Sequence, residues 1–91
     1  MAVDHAFRKL IRGRITKLGR DEYGFTPAEV RVLTEICFGE PVSRIAEKLK
    51  MAPGTVSTHI RSMFKRSGIH ARAKLISKTL LELLCGEIRG K

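Results

Sequence analysis

Thr58, Arg61 and Lys65 recur at intervals of three and four within residues 52–68, APGTVSTHIRSMFKRSG, a spacing that puts them on one side of an α-helix. Gly54 and Ser62 share that side, whereas Val56, Ile60, Met63 and Phe64 fall on the opposite stripe. Hydroxyls and long cations without a single acid are the chemistry of a surface that approaches phosphates and base edges. A merely solvated helix usually mixes signs. The acid-free interval is much longer than the helix: from Glu47 to Glu82 there is none, while Lys48, Lys50, Arg61, Lys65, Arg66, Arg72, Lys74 and Lys78 all lie inside it. A surface of one sign costs folding stability unless an acidic ligand offsets it, which favours nucleic acid first and an anionic membrane surface second.

Other chemistries find little support. His5, His59 and His70 have no metal-ligand spacing with each other or with Cys37 and Cys85, no nucleophile motif occurs, and no glycine-rich phosphate loop follows a strand. We therefore expect no enzyme, no metal and no cofactor. Two cysteines outside any C-x-x-C spacing read as buried small hydrophobes in a reducing compartment. Ninety-one residues with a formal net charge of +9 leave room for one modest core. No secretory or membrane-spanning stretch occurs, so the expected location is cytoplasmic, at the nucleoid.

The elements that must position the basic face can be read in order. Residues 2–19 place Val3, Phe7, Leu10, Ile11, Ile15 and Leu18 at mostly helical spacing, weakened by Gly13. Three readings compete for this segment: a helix packed on the domain or on a second subunit, a frayed basic arm that adds DNA affinity, and a membrane-surface helix. Gly19 to Gly24 reads as a polar linker, so residues 1–24 form a basic helix or arm ahead of a domain at 25–91. Thr26 as N-cap, Pro27 at the first helical position and Glu29 three residues after the cap make a capping box, with Phe25 and Val30 as its hydrophobic staple. The first domain helix then runs to about residue 38, stopped by Gly39. Residues 43–50 give a short second helix with Ile45, Ala46 and Leu49 inward, and Met51-Ala52-Pro53 turns into the basic helix. That helix lacks a capping side chain at Ala52 and closes at Gly68. A last helix from about Ala71 to Cys85 carries Leu75, Ile76, Leu80, Leu83 and Leu84 over nearly half its circumference, more than one packing face needs. The surplus points to self-association.

From Thr26 to Ile76 the chain resembles the LuxR-type helix-turn-helix of LuxR-, NarL- and GerE-like bacterial transcription factors. The resemblance is carried by Thr26, Pro27, Glu29, Val32, Leu33, Gly39, Ile45, Ala46, Leu49, Thr55, Val56, His59, Gly68, Ile69 and Arg72, which follow the pattern L-T-x-R-E-x-E-V-L, G, I-A-x-x-L, I-S-x-x-T-V-K-x-H, G-V-x-x-R. It implies an all-α domain of four helices, here preceded by the amino-terminal helix or arm. The third of the four enters the major groove and the fourth pairs subunits. Carried onto this chain, it assigns base contacts to Ser57, Thr58 and Arg61, and phosphate contacts to Thr55, Lys65 and Arg66, which Lys50 joins. His59 is assigned a supporting place, and Glu29 with Arg72 an internal ion pair. Pairing falls to Leu75, Thr79, Leu80, Leu83 and Leu84. Ser57, Ala52, Ala28, Ser67 and Leu75 depart from the family's usual Lys, Ser, Arg, Leu and Ala, so the family's preferred DNA sequence does not transfer.

The expectation that follows is a stand-alone, dimeric, sequence-specific regulator of transcription on double-stranded DNA. No receiver or ligand-binding domain is expected within these 91 residues. The homodimer is expected through the carboxy-terminal helix, with the amino-terminal one as a second candidate surface. The competing expectation is an interaction module that docks on RNA polymerase or titrates another regulator.

Overall fold

A computed structural model describes residues 5–89, with side chains as far as residue 85; Val3, and the start of the first helix expected at residue 2, lie outside the described residues. The order is α1 (His5–Leu18), a five-residue π-helical turn (Gly19–Tyr23), α2 (Pro27–Cys37), α3 (Val42–Leu49), α4 (Pro53–Ser67) and α5 (Arg72–Arg89). The architecture is all-α.

Helix α2 is the axis of the bundle. It buries Glu29, Val30, Val32, Leu33, Thr34, Glu35 and Ile36, more of its circumference than one neighbour can cover, and α1, α3, α4 and α5 all pack on it. Its start is the expected box: the Glu29 N–H donates to the Thr26 hydroxyl at 3.2 Å and the Thr26 N–H donates to Glu29 Oε1 at 2.9 Å. The buried Thr34 hydroxyl is satisfied by donating to the Val30 carbonyl at 2.9 Å, as an enclosed polar group must be. Phe38 caps the other end, and Gly39 follows at φ 84°, a backbone conformation that costs a side chain roughly 1–2 kcal/mol.

The amino-terminal segment belongs to the same core. Ile15 is fully buried, Ile11 is packed against the core, and α1 lies on α2 and α5, so the described part of this segment is not a frayed arm. Nor is Gly19–Gly24 a linker. The chain continues helically through it, and Gly19 is buried because α1 meets α2 there: an added Cβ would lie 3.0 Å from Val30 Cγ2. Tyr23 sets its ring 4.9 Å from that of Phe25, which extends the staple beneath the turn.

Three residues, Lys50 to Ala52, join α3 to α4. Lys50 closes α3 in the left-handed region at φ 55°, and the Met51 N–H returns to the Ala46 carbonyl at 2.9 Å. Ala46 is buried at the crossing, beside Ile45. Helix α4 opens on Pro53 without a side-chain cap and closes at Gly68, φ 74°, whose N–H donates to the Phe64 carbonyl at 2.9 Å. Helix α5 starts at Arg72 and runs to Arg89, past the expected end at Cys85, because no proline intervenes.

Several sequence expectations are corrected by this packing. Leu75 and Thr79 are fully buried within the protomer, where α5 meets the core, and the Thr79 hydroxyl is satisfied by the Leu75 carbonyl at 2.8 Å; they do not face a second subunit. Cys85 is exposed and only Cys37 is partly buried. Among the described residues no helix is long and apolar enough to cross a membrane.

Candidate nucleic-acid interface

Helix α4 divides as its periodicity requires. Val56 and Met63 are buried, Ile60 and Phe64 pack against the core, and Thr55, Ser57, Thr58, Arg61, Lys65 and Arg66 are exposed. Lys50, in the turn just before the helix, is exposed as well. The structure thus brings the seven assigned residues onto one helix and its leading turn. His59 is half-buried, as its supporting assignment requires. Gly54 has open space around it, which leaves the first turn free of bulk. The Thr58 hydroxyl donates to the Gly54 carbonyl at 2.9 Å; its proton is committed in the free protein, while its oxygen keeps a lone pair for an incoming donor.

Ser62 is the exception on that face. It is half-buried, and its hydroxyl bonds to Glu29. The same carboxylate takes Arg66 Nε at 3.3 Å. The expected Glu29–Arg72 pair does not form: Arg72 donates instead to the Glu40 carbonyl at 3.0 Å, fixing the loop after α2. Burial alone would raise the Glu29 carboxyl, but the hydrogen bonds of Ser62 and of the Thr26 backbone, followed by the Arg66 charge, outweigh it and hold the group below its ordinary value. One carboxylate therefore serves two ends. It completes the cap of α2 and ties down the last turns of α4.

A second buried carboxylate, absent from the sequence reading, braces the opposite side. Glu35 accepts from Arg12 Nη1 of α1 at 2.8 Å and from Lys48 Nζ of α3 at 3.1 Å, and Lys48 also reaches Glu40 at 3.3 Å. Burial again pushes Glu35 up, and the bonds and charges of Arg12 and Lys48 more than reverse it. Arg8 and Arg12 lie over the Phe38 ring at 4.6 and 5.2 Å from its centroid, within cation–π range. Arg8, Arg12 and Lys48 are thus engaged within the fold, whereas Arg61 and Lys65 of α4 are exposed. No sequence signal at fixed spacing marks Glu35, since its partners lie 23 and 13 residues away.

A short helix, a three-residue turn and a second helix held by its apolar stripe, with hydroxyls and cations outward, define a helix-turn-helix. The pattern of the luxR family of bacterial regulatory proteins, GerE, matches residues 24–79. The chain belongs to that family. It is also similar to two Mycobacterium tuberculosis proteins, from strains CDC 1551 / Oshkosh and ATCC 25618 / H37Rv, each described as a probable transcriptional regulatory protein NarL. Each is 32% identical over 56 residues, which are 62% of this chain and 26% of the relative, so the match spans about a quarter of those proteins. No solved structure matches the chain significantly.

Proposed function

We propose that this chain is a sequence-specific DNA-binding regulator of transcription that inserts α4 into the major groove. The observation that carries the reading is the acid-free outer face of α4, exposed at Thr55, Ser57, Thr58, Arg61 and Lys65 while the inner face is locked in the core. Arg61 reads a guanine edge, with Ser57 and Thr58 making shorter base contacts; Thr55, Lys65, Arg66 and Lys50 hold phosphates. Arg66 makes its phosphate contact with the guanidinium nitrogens that Glu29 leaves free. In a bacterial cell that duplex is nucleoid DNA in the cytoplasm.

The chain acts as a homodimer on half-sites about one helical turn apart, roughly 34 Å. Support comes from α5, where Leu80, Leu81 and Leu84 are 42%, 59% and 62% exposed, a cluster that a monomer seldom leaves wet. Leu83 turns partly into the core and contributes only its edge.

Selection of bound duplexes from a random pool, followed by titration of the selected site, tests the reading. Arg61→Ala should weaken the selected site by roughly 1–3 kcal/mol and relax the preference at one base pair. If Arg61→Ala binds selected and random duplexes as the parent does, the reading face is misassigned. If the parent retards no duplex even at low salt, the leucine face of α5 marks instead a module that docks on RNA polymerase or on another regulator.

A further inference from the structure

Between the end of α1 and the start of α2 the surface opens into a cavity of about 260 Å³, lined by Thr16, Arg20, Phe25, Pro27, Val30 and Arg31. Phe25, Pro27 and Val30 make it apolar. Its charges are two guanidinium groups, with no acid in the lining. Arg31 has no hydrogen-bond or ion-pair partner among the described residues, and Arg20 has only its neighbour Asp21 at 3.3 Å, both of them exposed. A pair of that kind holds its cation weakly. The Thr16 hydroxyl donates to the Arg12 carbonyl at 2.8 Å and keeps its acceptor side. Thr16 and Arg20 precede residue 24, where the family match begins, so this site is not simply a feature of the matched region.

We propose that the cavity binds a small amphipathic carboxylate, its apolar tail against Phe25, Pro27 and Val30 and its head between Arg20 and Arg31. Planar guanidinium forks match a carboxylate in shape as well as charge. The volume falls just below that of pockets for drug-sized ligands, which admits a molecule of about ten heavy atoms, a medium-chain or arylalkanoic acid. Occupancy falls beside the Thr26–Glu29 box, and Glu29 holds Ser62 and Arg66 of α4, so the ligand sits one contact away from the helix assigned to DNA. The site itself does not depend on that assignment.

The test is a titration of the full chain with sodium octanoate, kept below its micelle-forming concentration and read by backbone amide shifts. The expected result is saturable binding with shifts gathered between residues 16 and 31. The double variant Arg20→Gln, Arg31→Gln should weaken octanoate at least tenfold, and so should Thr16→Trp, which fills the mouth from an exposed position; thermal melts verify that both remain folded. 1-Octanol, with the same tail and no charge, should bind the parent at least tenfold more weakly than octanoate. Absence of saturable binding, shifts gathered instead on Leu80–Leu84, or an octanoate affinity unchanged by either variant overturns the site. Binding to phosphatidylglycerol vesicles that the double variant abolishes, with none to free octanoate, overturns it in favour of a membrane surface.

Discussion

Lys50 shows how one side chain can serve two masters. It closes α3 at φ 55°, where glycine would rest without strain, and it is also assigned to a phosphate. Lys50→Gly should therefore raise stability by about 0.5–1 kcal/mol while weakening duplex binding and lowering the salt slope by about one. Chemical denaturation and salt-dependent binding would resolve the two effects; a variant that loses both stability and affinity would show that Lys50 packs and is not strained. Glu35 makes the complementary case for pH. Its carboxyl lies below the ordinary 4.5 in the folded chain, so the folded state binds its proton less readily than the unfolded one. Its contribution is present above about pH 4.5 and is lost as pH falls through and below that value. Glu35→Gln should cost roughly 1–3 kcal/mol at pH 7, since charge-assisted bonds to Arg12 and Lys48 go, and should flatten the fall of the urea midpoint between pH 5 and pH 3. An unaltered acid slope would assign that fall to Glu29.

Among the elements, those specified by neighbours in sequence were legible and those specified by packing were not. The capping box, the stop at Gly39 and the limits of α4 rest on contacts three or four residues apart, and the structure keeps them. The π-helical turn escaped because Gly19 and the run Arg20-Asp21-Glu22 look like a solvated linker until α2 is placed against them. That Glu29 caps α2 is readable from spacing, but which cation it meets depends on the crossing of α2 and α4, which brings Arg66 to it. At the site the outward stripe was readable from period alone; the inward turn of Ser62 was not, because a serine fits either side until a carboxylate is found beneath it. Two substitutions test the placement of α1. Ile15→Ala removes a fully buried side chain and should cost about 2–5 kcal/mol. Gly19→Leu drives a side chain into Val30, Phe25 and Leu33 and should cost about 1–3 kcal/mol. Denaturation midpoints that hardly move in either would mean that α1 is dispensable to the bundle.

For the whole molecule, the acid-free face and the exposed leucine cluster lie on different helices, α4 and α5. The α4 face is cationic, whereas α5 exposes three leucines and α1 exposes Phe7 and Leu10, each more than half accessible. The first patch should govern DNA affinity through salt and the second the association of copies. Leu80→Lys with Leu84→Lys should shift sedimentation from dimer to monomer and cut affinity for a two-half-site duplex far more than for a single half-site. Equal losses on both duplexes would disconnect the leucines from pairing.

The two thiols differ in a way that bears on such measurements. Burial pushes Cys37 up to about 11, so near neutral pH almost none of it is the nucleophilic thiolate, whereas Cys85 stands exposed on α5 directly after Leu84. A maleimide dye should therefore mark the unmutated polypeptide once, at the edge of the leucine cluster, and energy transfer between donor- and acceptor-tagged batches would report whether two copies meet there.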